Sequence, residues 1–450
     1  MKRFLFARIE AWVLCVFALI GLLGLIAFGG LVLLRERGSS FAGGVGAAAH
    51  ALAELPLVFK RLRDPDSRIN HYAKRFDAIP SGWSFGDAGA PGLDGYVLLS
   101  RIDGDLQRQS IELVSLSDMK THYTWLPDVN ELMADVDPIP QRSENERWTL
   151  SHFQTLHPFV NADGGLILKD NYSPMVRTDA CSHPMWLLAD RIYSHSTEVD
   201  ANGDFWVPAH PPQEPDSRWP ASYANDSLDR VTLDGKRVES ISLTKVFTDH
   251  DLLGKLFPIL TYYDDPLHLN DIQPVLEDGP FWKKGDLFVN LRGPSMVMLY
   301  RPSTNEIIWM KEGPWLKQHD VDILDDHRIS VFSNNVRDYG KGTRVEEVVD
   351  VMIYDFSTGE VTRPWRDAFL KYDVETTFAG LSEVLPGGNL MVEETFGGRL
   401  LIFDKDGNIV QQYLNRAGDG QVYAMAWTRY IEPSVGDALV KVLEKVNCNG

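Results

Sequence analysis

The segment His319-Asp-Val-Asp-Ile-Leu-Asp-Asp-His-Arg-Ile-Ser-Val-Phe332 and its sequel VMIYDFSTGEVTRPW at 351–365 decide the fold. In the first, apolar and polar residues alternate on both sides of an Asp-Asp turn, the period of two half-buried strands joined by a hairpin. In the second, a strand runs into an Asp/Gly turn and leaves as another strand. Together they make a four-stranded antiparallel unit.

The same two phrases recur along the chain. The first appears as HPFVNADGGLIL at 157–168, as HSTEVDANGDFWV at 195–207 and, without the histidine, as GLSEVLPGGNLMV at 380–392. The second appears from Leu228, Val297 and Leu400, with an earlier copy from Ile111. A four-stranded unit cannot bury both faces alone, and packing copies around an axis solves this. Units at about 95–125, 152–190, 195–243, 268–312, 319–365 and 380–414 predict an all-β, six-bladed β-propeller. VYAMAWTRYI from Val422 is expected to close the ring beside the first blade. A pair of β-sandwiches leaves the repeated histidine unexplained.

Ahead of the repeats, Ala11–Leu34 is 24 residues without a charge, long enough as a helix to cross a hydrocarbon core of about 30 Å. A signal peptide would have an apolar region of about 7–15 residues, so a retained transmembrane anchor is expected. Lys2, Arg3 and Arg8 precede the run, and Arg35 and Arg37 follow it. That bias predicts a cytoplasmic N-terminus and an exported remainder, a single-pass protein of the inner membrane facing the periplasm or exterior. The expected division is anchor 1–37, stalk 38–94, propeller 95–431 and tail 432–450. Gly44-Val-Gly-Ala-Ala-Ala49 matches a dinucleotide pattern, but a membrane helix rather than a strand precedes it, and it is rejected as a cofactor site.

The chain of 450 residues has 44 Lys+Arg against 63 Asp+Glu and a net charge of −19. Such a field excludes a nucleic-acid binder held by phosphate neutralisation. Cys15, Cys181 and Cys448 are far apart, and neither a disulfide scaffold nor a thiolate zinc site is expected from them. Nucleotide-phosphate loops, His-Glu-x-x-His and calcium-loop patterns are all missing from the sequence.

His195, His268 and His319 stand just before the first strand of three units, where equivalent positions of a propeller converge on one channel mouth. Alone, each reads as a strand-end histidine; three in register favour a shared site. His268-Leu-Asn-Asp271, Asn290-Leu-Arg292, Gln318-His-Asp320 with Asn334-Asn335, and YSHSTEVDANGDFWV at 193–207 resemble the active-site segments of bacterial arylsulfate sulfotransferases. The resemblance covers about residues 95–431. It implies a propeller enzyme that moves a sulfuryl group from an aryl sulfate ester to a phenolic acceptor, without cofactor or metal. It further implies that His319 is the histidine transiently sulfated, and that His195, His268, Asn270 and Arg292 hold the sulfuryl group.

The chemistry of the side chains agrees. A nucleophile for sulfur must be uncharged and basic near neutral pH, which an imidazole is. The charge spread over three sulfuryl oxygens calls for preorganised donors, and Arg292 offers a planar fork. His195 and His268 add donors or protonate the leaving phenolate, and Asn270 donates without titrating. The competing readings are an ion-paired structural Arg292, a histidine-ligated metal enzyme, and a non-catalytic membrane-tethered binding platform. The chain departs from the family in having no separate N-terminal β domain and no cysteine pair near the nucleophile. Lys283 and Lys284 read as a solvated loop. Tyr262, Tyr263, Trp282 and Trp315 either line the mouth or pack between blades, the commoner fate.

Overall fold

The computed structural model describes residues 10–36, 44–46, 48–49, 52–53, 68–70, 73–89, 92–134, 136, 148–150, 152–212, 218–220, 222–257, 262–340 and 342–448. It divides into residues 1–67 and a compact unit from 68 to 450. In the first unit, Ala11–Glu36 is one helix. Its span Ala11–Leu34 has a mean hydropathy of 2.7 over its most apolar window, none of it buried in protein. A helix apolar on every side is suited to lipid. Of the expected stalk, residues 38–43, 47, 50–51, 54–67, 71–72 and 90–91 lie outside the described residues.

The second unit is all-β at its core, a propeller-like set of antiparallel sheets. The first sheet holds Tyr96–Asp103, Arg108–Ser115 and Thr121–Trp125, with Arg429–Ile431 on its inner edge. An eight-stranded sheet follows, from Phe159–Val160 to Arg237–Ser242. Three sheets then start with the inner strands Leu269–Pro274, Asp320–Ile323 and Leu381–Val384.

Alternation sends every second side chain of these strands into the space between neighbouring sheets. The core is accordingly a series of clusters, one per interface. Leu98 and Leu113 meet Leu166 and Val176; Leu228 meets Leu269 and Leu287. Val297 meets Val321 and Val331, and Val351 meets Leu390 and Leu401. Finally Leu400 and Ile402 meet Val97 and Val114, so the last sheet packs on the first. Each such side chain contributes about 1.5–3 kcal/mol by leaving water.

Inner strands are also stapled to one another by carboxylates. Asp271 accepts from the Val321 N–H at 3.1 Å, Asp320 from the Ser382 N–H at 2.9 Å, and Glu383 from the Tyr430 N–H at 3.3 Å. Each bond satisfies an edge-strand amide that has no ladder partner on that side.

Three sequence expectations are corrected here. The folded unit begins near residue 68, not 95: Gly82–Phe85 pairs with the outer edge of Ile409–Leu414, and the Asn70 N–H donates to the Val422 carbonyl at 2.7 Å. An edge strand offers unpaired backbone groups that any short segment can cover, so GWSF needs no strong strand pattern to do it. The expected tail is a helix, Pro433–Leu443, whose Leu439 and Leu443 enter the cluster between the first two sheets. Beyond it Cys448 forms a disulfide with Cys181, Cα atoms 5.4 Å apart across a separation of 267 residues. Distance along the chain is no guide to pairing once a ring brings its ends together.

Candidate active site

Two adjacent antiparallel strands place the start of the first and the end of the second at one edge of their sheet. That rule assembles the site. His268 and His319 precede inner strands, while Arg292 and Asn334 follow the second strands Leu287–Leu291 and Arg328–Ser333. His195 leads into Glu198–Val199. His195, His268, Arg292 and His319 all line one cavity of about 340 Å³, together with Tyr172, Phe378, Ala379, Thr395 and Phe396. His195 and His268 enter through left-handed backbone, φ 47° and 52°, and their rings meet edge to face with centroids 5.3 Å apart. In the His319 segment the left-handed residue is Lys317 instead, two positions earlier.

Asn270 is not among the lining residues. Fully buried, it donates through Nδ2 to the Gln318 carbonyl at 2.9 Å and thereby holds the segment that carries His319.

His319 is gripped at both ring nitrogens. Asn334 donates through Nδ2 to the carbonyls of Ala379 at 2.7 Å and Thr376 at 3.1 Å, which turns its Oδ1 toward the imidazole. Oδ1 lies 2.5 Å from His319 Nδ1 and is acceptor-only, so Nδ1 carries the proton. Nε2 therefore holds the lone pair, and the Ala379 N–H donates to it at 3.1 Å. Burial, then the Arg292 charge, pushes the His319 imidazolium well below its ordinary value, leaving the ring neutral at neutral pH. His195 is likewise held neutral by burial and by its neighbours His268 and His319. His268 is oriented through Nδ1 by Asp265, 2.7 Å away.

Arg292 is the cation of the cavity. Its guanidinium lies 5.7 Å from the Phe378 ring, and its buried Nε has no hydrogen-bond partner. Burial lowers its proton affinity from a very high starting value. A buried guanidinium with an unmade donor is what an anionic ligand would satisfy. The carboxylate-paired reading fits poorly, since no ion pair to Arg292 forms among the described residues.

Trp427 stands beneath the site, its ring 6.2 Å from that of His195, 6.4 Å from His319 and 5.6 Å from His157. His157 occupies the first position of its repeat but lines a second cavity of about 530 Å³, where Nδ1 is 3.2 Å from Glu198. Asn334, Ala379, Phe378, Phe396 and Trp427 were not singled out by role from sequence; Asn334, next to a quoted His-Asp strand, was the one with a signal. Trp282 and Trp315 are buried in the core, and Tyr262 and Tyr263 are exposed away from the cavity. Among the described residues, the one group of metal-ligating atoms within 4.8 Å of one another is Asp325, Asp326 and His327, not the site histidines.

A search of curated proteins finds no match. Among solved structures the chain is similar to a protein of unknown function from Bacteroides caccae, at 11% identity and a TM-score of 0.47, covering 75% of this chain and 99% of that one. It is similar to TolB from Acinetobacter baumannii at 11% identity and a TM-score of 0.41, covering 75% and 66%. BamB from Moraxella catarrhalis matches at 11% identity and a TM-score of 0.35, covering 75% and 93%. The sequence pattern of one family, described as Arylsulfotransferase (ASST), matches residues 166–416. That match runs over His195, His268, Arg292 and His319 and over more than half of the chain, and the chain belongs to the arylsulfotransferase family.

Proposed function

We propose that the protein is a membrane-anchored aryl sulfate:phenol sulfotransferase that works through a sulfohistidine at His319. The observation that carries this reading is the fixed tautomer of His319: Asn334 holds the proton on Nδ1, which leaves the lone pair on Nε2 of a ring that lines the same cavity as Arg292. In the first step Nε2 attacks sulfur, the S–O bond to the ring breaks, and the aryl oxygen leaves with the electron pair. The Nδ1 proton stays against Asn334 Oδ1, so the sulfated ring is a zwitterion. Arg292 takes sulfuryl oxygens with its fork, and its charge offsets the negative charge of the group in transit. His268, oriented by Asp265, and His195 are the groups placed to exchange a proton with the phenol oxygen. An acceptor phenol then reverses the sequence.

The ring is read as six blades. The eight-stranded sheet joins its two halves through only Ala209↔Tyr193 and His210↔Ile192, and a separate cluster of Ile167, Met175, Phe205 and Val207 lies within it. The disulfide favours an oxidising compartment, and with Ala11–Leu34 as a retained anchor the body of the protein would face the periplasm or exterior. Retention after alkaline washing, with the ectodomain digested by protease added to spheroplasts, tests that placement; release of a soluble form lacking residues 1–37 would overturn it.

The decisive experiment for the chemistry mixes enzyme with 4-nitrophenyl sulfate alone. One equivalent of nitrophenol per site should appear in a burst, and mass spectrometry should find an acid-labile sulfo group on His319. His319→Ala should lose burst and turnover. Anion binding without any transfer would instead select the binding-platform reading, and transfer by His319→Ala would move the nucleophile elsewhere.

A further inference from the structure

The amide of Ala379 lies where the reacting atoms meet. Its N–H donates to His319 Nε2 at 3.1 Å, occupying the lone pair that has to attack sulfur. Its carbonyl accepts from Asn334, whose Oδ1 faces His319 Nδ1, so imidazole, Asn334 and Ala379 form a closed loop of three hydrogen bonds. The amide is rigidly aimed. Asn334 Nδ2 also binds the Thr376 carbonyl, and the Thr376 hydroxyl donates to the Phe378 carbonyl at 2.7 Å. Ala379 sits at φ 54° and Gly380 at φ 104°, and the left-handed conformation at Ala379 is one that an alanine adopts only when held. A Cβ on Gly380 would come within 2.6 Å of Phe332, so the turn cannot relax by gaining a side chain there.

We propose that the Ala379 backbone N–H is a further catalytic group, a donor that leaves His319 Nε2 as the N–S bond forms and passes to a sulfuryl oxygen. The inference rests on the reading of His319 as the nucleophile. The bookkeeping of bonds is complete without another reactant: the Nε2 lone pair becomes the N–S bond, the S–O(aryl) pair goes to the aryl oxygen, and the amide proton stays on nitrogen throughout. The N–H cannot keep a bond to a nitrogen whose lone pair is committed to sulfur, and the acceptors that arrive beside it are the oxygens on that sulfur. Before reaction it also holds Nε2 as an acceptor, and with the Nδ1 contact to Asn334 it fixes the ring. A donor that exchanges one acceptor for the next needs no reorganisation elsewhere, the condition under which such a bond stabilises a transition state most.

The test replaces the amide by an ester, Ala379→lactate installed by nonsense suppression in the full chain, which deletes the N–H and keeps the side chain. Burst kinetics with 4-nitrophenyl sulfate should show the limiting rate reduced by about 10²-fold, as for other lost oxyanion donors. The donor concentration giving half that rate should hold or fall, because Nε2 is no longer occupied. In the unliganded variant the ¹⁵N resonance of His319 Nε2 should move toward that of a free imine nitrogen. An unchanged or faster limiting rate would overturn the donor role, as would a half-saturation that rises while the rate is kept. An unmoved Nε2 resonance would show that the amide was never bonded there. Absence of a burst and of sulfohistidine in the unmodified enzyme would overturn the nucleophile reading itself, and the inference with it.

Discussion

Asn334 Oδ1 sits 2.5 Å from His319 Nδ1, and the same amide spends both of its N–H groups on the carbonyls of Thr376 and Ala379. One neutral side chain thus fixes the tautomer of the imidazole and the turn that faces it. An uncharged acceptor does this without stabilising the imidazolium as a carboxylate would, which suits a residue that must stay neutral to attack sulfur.

Asn334→Ala should cut the limiting burst rate about 10²-fold, since the ring loses its orientation and the turn its anchor. Asn334→Asp separates the electrostatic part: a carboxylate opposite Nδ1 raises the proton affinity of His319, so the burst should acquire an acid limb at higher pH than in the parent. Parent-like pH behaviour in Asn334→Asp would argue against this contact.

The parent's own pH profile follows from the lowered proton affinity of His319. Protonation removes the lone pair, and burial together with Arg292 pushes that protonation well below 6.5. The donor half-reaction should therefore stay level as pH falls from 8 through 6.5 and decline only at lower pH. Stopped-flow bursts across that range check it; a midpoint at or above 6.5 would contradict it.

Arg292→Lys keeps a charge and loses the planar fork. The limiting burst rate should fall by about 10²-fold or more, and methylguanidinium in the buffer should restore part of it. A variant with parental rate would mean that charge alone suffices.

The period of two, the turn residues and the repetition of phrases were legible in the sequence because local pattern sets them. So was the convergence of His195, His268, Arg292 and His319 on one cavity, since repeats in register put strand starts and the ends of the next strands at one mouth. Asn270 does not line that cavity: its Nδ2 donates to the Gln318 carbonyl, a contact between neighbouring sheets that its residue type does not announce. Ala379 carries no side-chain signal at all, because the group that matters is its backbone amide. The Cys181–Cys448 pair, the edge strand Gly82–Phe85 and the helix Pro433–Leu443 depend on where ring closure brings distant segments, which no local window encodes.

The carboxylates that staple the inner strands give the last prediction. Burial and the neighbouring Glu198 push Asp271 upward, burial raises Glu383 to about 7, and Asp320 moves the same way through burial and Asp271, as does Asp322 through burial and Asp320. A folded-state value above the unfolded one means that the native protein binds more protons between the two, so stability falls as pH rises from about 4 to about 7. For Glu383 the loss is on the order of 3 kcal/mol. Urea unfolding of the detergent-solubilised chain should accordingly show a lower midpoint at pH 8 than at pH 5. Asp271→Asn and Glu383→Gln retain an oxygen for the Val321 and Tyr430 amides while removing the titration, so the double variant should flatten this dependence and raise the midpoint at pH 8. A midpoint that climbs from pH 5 to pH 8, or a slope left unchanged by both substitutions, would show that these two acids are ionised in the ring and held there by charges such as that of Arg429.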